Sequence, residues 1–176
     1  SMSSLRFTKK TKRLKHFTFR KKFFLVVADT GIPSETRSAV TDVGRLLKEQ
    51  PAKFVPMIEE LGLISREIRN QLENDANLNR IGQAMNEAQS ILEELTVSDS
   101  SLEKLIQTAL QSGAYGAKLT GGGRGGCMVA LVKNKEQAQF VKKALQKAGS
   151  HKEWIFTIGE GNHESNSDGS HQYSAH

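Results

Sequence analysis

The chain has one cysteine, three prolines, one tryptophan and two tyrosines among its 176 residues. A single thiol, Cys127, excludes an internal disulfide and makes a reducing cytoplasm the expected home. No apolar run approaches the roughly 18 residues of a membrane span, so a helical membrane protein is excluded and a soluble one expected. The first 24 positions hold no acidic residue but nine lysines and arginines, from Arg6 to Lys22. The formal charge of +6 therefore sits at one end, and beyond it 16 basic residues face 19 acidic ones. Such an end can attract phosphate backbones. No base-stacking platform accompanies it, so nucleic acid is disfavoured against a solvated hairpin edge. The five histidines match no zinc spacing and no metal site is expected.

Glycine is concentrated instead. Gly121, Gly122, Gly123, Gly125 and Gly126 fall within six positions, between apolar runs that read as strands. A backbone without Cβ atoms takes positive φ and lets a bound group approach successive N–H donors, which is anion-binding chemistry. Thr120 and Arg124 add a hydroxyl and a planar cation suited to phosphate or carboxylate, although Arg124 reads equally as a solvent-facing arginine. A hairpin turn needs only one or two glycines, so ligand approach outweighs a bare turn.

Three segments follow from the patterning: a basic hairpin over 1–22, one domain over 23–159 and a polar, disordered tail over 160–176. Leu5, Phe7, Phe17 and Phe19 alternate with polar residues, which predicts two short strands. Phe23 to Ala28 reads as a central strand covered on both faces. Asp29-Thr30-Gly31 ends it, and Ser34 is placed to cap the next helix, so a carboxylate, hydroxyls and helix amides meet in one turn. Bare strand exit explains Asp29 and Thr30 equally well. Four helical faces follow, the fourth with capping-box spacing at Ser100 and Glu103. The asparagines Asn70, Asn77, Asn79 and Asn86 suit solvated faces or loops. After the strand Cys127 to Val132, Asn134 and Gln137 cap a fifth helix, and Trp154 to Ile158 is a last strand. Cys127 reads as a small core residue rather than a nucleophile. The fold class is α+β: a mostly antiparallel sheet of about four strands with helices packed on one face.

Lys118-Leu-Thr-Gly-Gly-Gly-Arg-Gly-Gly-Cys127 resembles the third, glycine-rich motif of the GHMP small-molecule kinases. The approach Gly113-Ala-Tyr-Gly-Ala117 strengthens the resemblance. Ala28-Asp-Thr-Gly-Ile-Pro-Ser-Glu-Thr-Arg37 and Leu95-Thr-Val-Ser98 are similar to segments of the mevalonate kinases, the bacterial type fitting best. The similarity runs in order from about Phe23 to Ile158, which is far more specific than one glycine motif.

That resemblance implies a C-terminal domain facing an N-terminal one across a cleft, with ATP and Mg²⁺ as cofactors and mevalonate as substrate. It places Thr120 to Gly126 on the phosphate side and Asp29, Thr30 and Gly31 on the substrate side. The family's ATP loop and its catalytic Asp and Lys belong to the N-terminal half and match nothing here, so no catalytic residue is assigned. The expectation is a fragment, inactive alone and prone to form a homodimer. Two alternatives stand beside it. One is another GHMP kinase, acting on phosphomevalonate or homoserine; the other is a non-enzymatic module for phosphate or nucleic acid.

Overall fold

Phe23–Asp29 forms the first strand, β1, because its β-branched and aromatic side chains suit a pleated, half-buried surface. It belongs to a computed structural model that describes residues 22–74 and 76–159. All but the last residue of the expected hairpin segment, and the whole tail 160–176, lie outside the described residues. The other strands are β2 (Gly116–Thr120), β3 (Cys127–Val132) and β4 (Lys152–Ile158). The helices are α1 (Thr36–Glu49), α2 (Pro51–Glu73), α3 (Leu78–Glu94), α4 (Ser100–Gln111) and α5 (Lys135–Lys147). The four strands lie in the order β2-β3-β1-β4 and every pairing is antiparallel. The expected α+β architecture and the central place of β1 are both present, but helices pack on both faces rather than one: α4 and α5 on one side, α3 on part of the other.

One face of the sheet carries Phe24, Val26, Ala28, Met128, Ala130 and Val132 into the main core. There they meet Leu102, Leu105 and Ile106 of α4 and Val141 and Leu145 of α5. The other face is covered unevenly. Phe23 and Leu131 are buried against Ile81 and Met85 of α3, whereas Val27, Asp29, Cys127 and Val129 are only half-buried. The expectation that β1 is covered on both faces therefore fails along its second half, because α2 and α3 gather at the β2 side of the sheet.

Helix α3 closes the β2 edge. A Cβ at Gly82 would collide with the Tyr115 carbonyl, and one at Gly116 would collide with the backbone of Gly82. With both side chains absent, the α3 backbone lies against the strand. Asn86 and Gln89, one turn apart, then do for β2 what a fifth strand would. The Ala117 N–H donates to Asn86 Oδ1 at 3.0 Å and the Leu119 N–H to Gln89 Oε1 at 2.9 Å. Asn86 thus leaves the solvated role expected for it, because an open strand edge holds unpaired donors that a nearby amide can satisfy.

The helix starts hold two further corrections. Asp99, not Ser100, caps α4, its Oδ1 accepting from Leu102 N at 3.0 Å. At α1 the N-cap position is Glu35, without a side-chain cap; Ser34 donates its hydroxyl to the Gly123 carbonyl instead. Asn134 caps α5 as expected, accepting from Gln137 N at 2.8 Å.

Two substitutions test the α3–β2 contact. Gly82→Ala is expected to destabilise the chain by about 1–3 kcal/mol through overpacking. Gln89→Leu is expected to cost about 1–3 kcal/mol by leaving the Leu119 N–H buried without an acceptor. Urea unfolding followed by circular dichroism measures both, and unchanged midpoints would refute this account of the edge.

Candidate functional site

Register brings the two chemistry-bearing connections together. Asp29 pairs with Cys127, Cys127 with Thr120, and Asp29 with Lys152, so these residues form one row across the end of the sheet. From that row the glycine loop 121–126 and the turn 30–35 leave side by side and interlock. The Gly126 carbonyl accepts from Thr30 N at 2.9 Å and from Thr30 Oγ1 at 2.8 Å. The Gly126 N–H donates to the Ile32 carbonyl at 2.7 Å, and Ser34 Oγ donates to the Gly123 carbonyl at 2.6 Å. Glu35 N then donates to the Arg124 carbonyl at 3.1 Å. On its own side, the turn is closed by the Gly31 N–H donating to Asp29 Oδ1 at 2.8 Å.

The glycines serve two ends. A Cβ at Gly122 would strike Thr36, one at Gly123 the Val97 carbonyl, and one at Gly125 the carbonyls of Ile32 and Pro33. These three are required by packing, whatever the loop binds. Gly121 differs: it is exposed, its φ is +85°, and a Cβ there would meet nothing within 4 Å. The N–H groups of Arg124 and Gly126 are spent inside the protein. Those of Gly121 and Gly122 have no acceptor among the described residues. The N–H groups of Gly123 and Gly125 likewise have no acceptor among the described residues, but both residues are buried, so the donors next to solvent are the adjacent pair at Gly121 and Gly122.

The polar side chains divide similarly. Thr120 is exposed beside Gly121, whereas the Thr30 hydroxyl is engaged with Gly126. Arg124 is engaged rather than free. Its Nε donates to the Thr96 carbonyl at 2.8 Å, Nη2 to Thr96 Oγ1 at 3.0 Å, and Nη1 to Ser38 Oγ at 3.1 Å. Nη1 also lies 2.8 Å from Asp42 Oδ2.

Lys118, three residues before Gly121, opens the glycine-rich motif but was assigned no role from the sequence. Its ammonium donates to the Leu119 carbonyl at 2.6 Å, and burial holds it below the ordinary lysine range. Lys118, Thr120 and Gly121 line one side of a cavity of about 440 Å³ whose other walls include Leu61, Ile64 and Leu92. The available signal was a lysine inside an otherwise apolar strand. At Cys127 burial pushes the thiol up, and the Asp29 carboxylate adds to the shift. The thiolate is disfavoured there, in keeping with a packing role. Among the described residues no group of three or more His, Cys, Asp or Glu is arranged to hold a metal. The amide and ammonium donors present carry partial or full positive charge and suit an anion's oxygens.

The GHMP kinases C-terminal family matches residues 57–151, more than half of the chain. The chain belongs to the GHMP kinases and carries their C-terminal domain. Within the family it is similar to mevalonate kinases. That of Pyrococcus furiosus is 35% identical over 129 residues, 71% of this chain and 38% of that protein. The crystal structure of L. major mevalonate kinase in complex with R-mevalonate is 33% identical, with a TM-score of 0.75 over 82% of this chain and 45% of that one. Mevalonate kinase from Staphylococcus aureus MRSA252 is 28% identical, with a TM-score of 0.54 over 81% and 44% of the two chains. The chain thus spans less than half the length of these relatives.

Lys118 gives a pH test. Its folded pKa is depressed, so its contribution to stability is present above the unfolded lysine value and lost as pH falls through the folded one. Lys118→Met removes that loss. The variant is expected to melt higher than wild type at neutral pH, and the difference is expected to shrink as pH rises toward the ordinary lysine range. Thermal melts of both proteins across the alkaline range check this, the opposite contribution of Cys127 cancelling in the difference. A variant that melts lower at neutral pH would show that Lys118 is not desolvated at net cost.

Proposed function

We propose that this chain is the C-terminal domain of a mevalonate kinase. Joined to an N-terminal domain, it takes part in transferring the terminal phosphoryl group of ATP to the primary hydroxyl of mevalonate, a cytoplasmic step of isoprenoid biosynthesis. The observation that carries the reading is the pair of unengaged amides at Gly121 and Gly122, beside the open position of Gly121. Phosphoryl transfer asks a protein for positioned donors and charge stabilisation more than for covalent chemistry. Rigid amides provide the first without reorganising as charge moves. The loop from Thr120 to Gly126 forms the phosphate-side wall, and Asp29, Thr30 and Gly31 form the acceptor side.

ATP supplies the phosphoryl group when bound, with Mg²⁺ offsetting its charge. The described residues offer no carboxylate cluster for the ion, so its ligands are assigned to the phosphates and the N-terminal domain. This chain binds and orients. Deprotonation of the acceptor hydroxyl falls to groups outside it, and the chain alone is expected not to turn over.

The test is coupled-assay measurement of ADP release with ATP and mevalonate. The purified chain alone is expected to stay at background, and adding the N-terminal half of a mevalonate kinase is expected to restore turnover. Activity of the chain alone that disappears in Asp29→Ala would overturn the assignment and reveal a self-contained site. In the restored enzyme, Gly121→Ala strains a left-handed position without a clash and is expected to lower kcat by about tenfold or more. An unchanged kcat would remove the loop amides from the mechanism.

A further inference from the structure

Among the glycines stands one large side chain, and its contacts run to helices rather than to the open amides. We infer that Arg124 is a positioning residue. It fixes the glycine loop by tying it to α1 through Asp42 and Ser38 and to the segment after α3 through Thr96, and it does not contact the transferred group. The kinetic consequence rests on the phosphoryl-transfer reading; the structural one does not.

Engagement is the first ground. A guanidinium holds five N–H donors in a rigid plane. In Arg124 the Nε, Nη1 and Nη2 atoms all have acceptors, Nη1 facing both Ser38 and Asp42. The side chain is 19% exposed, so the ion pair is partly shielded from solvent. Reaching a phosphate would break contacts on two separate elements at once.

Backbone conformation is the second ground. Arg124 has φ +51° and Thr96 has φ +63°, two of the three non-glycine residues with positive φ among those described. The two are bound to one another through both the Thr96 carbonyl and its hydroxyl. Their left-handed conformations are held by contacts around them, including Arg124 N to the Val97 carbonyl at 2.8 Å. The arginine thus locks its own backbone, and with it the direction in which Gly121 and Gly122 leave β2.

The third ground is how little else holds α1. Ala39 is its one buried residue, and Val40 on its apolar face is 66% exposed. Its helical packing is on α2. The Arg124 clamp and the contacts of residues 34–36 with the loop join α1 to the site. Arginine suits this task where lysine does not, because only a planar fork reaches a carbonyl, two hydroxyls and a carboxylate together.

Hydrogen exchange of the wild-type chain and of Arg124→Gln, Arg124→Lys and Asp42→Asn tests the inference. In Arg124→Gln, exchange at the engaged amides of Arg124 and Gly126 and over 36–49 is expected to rise by about tenfold or more, with β1 and β3 unchanged. Arg124→Lys is expected to behave nearly as Gln. Asp42→Asn, a surface change that keeps the fold, is expected to raise exchange chiefly in α1. Exchange unchanged from wild type in Arg124→Gln would overturn the inference. In the enzyme restored by an N-terminal half, Arg124→Gln is expected to lower kcat by about tenfold while leaving KM for ATP within about twofold. A raised KM for ATP with unmoved exchange would make Arg124 a ligand contact and overturn the inference. Failure of the restored wild-type mixture to turn over would count against the kinase reading and leave the exchange result to decide on Arg124.

Discussion

The carbonyl of Gly126 is the point on which the site depends. It accepts both the N–H and the hydroxyl of Thr30, while its own N–H donates to Ile32. Neither the loop nor the turn has a regular backbone ladder of its own, so each satisfies the polar groups of the other. This exchange requires the two backbones to touch, which explains the missing side chain at Gly125; Gly122 and Gly123 are kept bare by Thr36 and Val97 instead. Rigidity comes from the interlock. A loop this rich in glycine would otherwise lose more conformational entropy on ordering than any other composition.

A second close approach fixes where the loop begins. Because Gly82 and Gly116 let α3 lie against β2, Gln89 can take the N–H of Leu119, the residue next to Thr120. The helix thereby anchors the last residues of the strand, and the 440 Å³ cavity between these elements keeps its shape beside Gly121. Packing at the edge of the sheet and geometry at the site are thus one mechanical problem. The row of half-buried Asp29 and Cys127 and exposed Thr120 lies at the junction of the two.

Much of the fold was legible in the chain. β1 and β3 showed as apolar runs, the helices as three-and-four spacing, and Asn134 as a cap, because each depends on residues near in sequence. What was hidden depends on residues far apart. Asn86 and Gln89 look like solvated positions until β2 is placed beside them. Ser34 has the right spacing to cap α1, but the Gly123 carbonyl, 89 positions away, takes its hydroxyl. The glycine cluster is instructive in a different way. A sequence shows that side chains are missing, but not whether a ligand or a neighbouring backbone fills the space, and here the neighbour claims three of the five.

Charge placement favours the assignment of sides on the proposed reading. A carboxylate facing an incoming phosphate without an intervening cation is repulsive, and at close range that repulsion is not screened by salt. Asp29, on β1, stands one strand beyond Cys127 from Thr120, and its Oδ1 is turned back to Gly31. At the other end of the row, the amides of Gly121 and Gly122 offer partial positive charge, with the Lys118 ammonium on the same strand. On that reading an oxygen-rich anion is favoured at the β2 side over the Asp29 carboxylate, part of whose charge Lys152, its register partner, offsets. A neutral hydroxyl carries no such penalty beside Asp29 and can donate to it. Under the proposed function, charge at this end of the sheet would favour the phosphate on the β2 side and the acceptor hydroxyl on the β1 side.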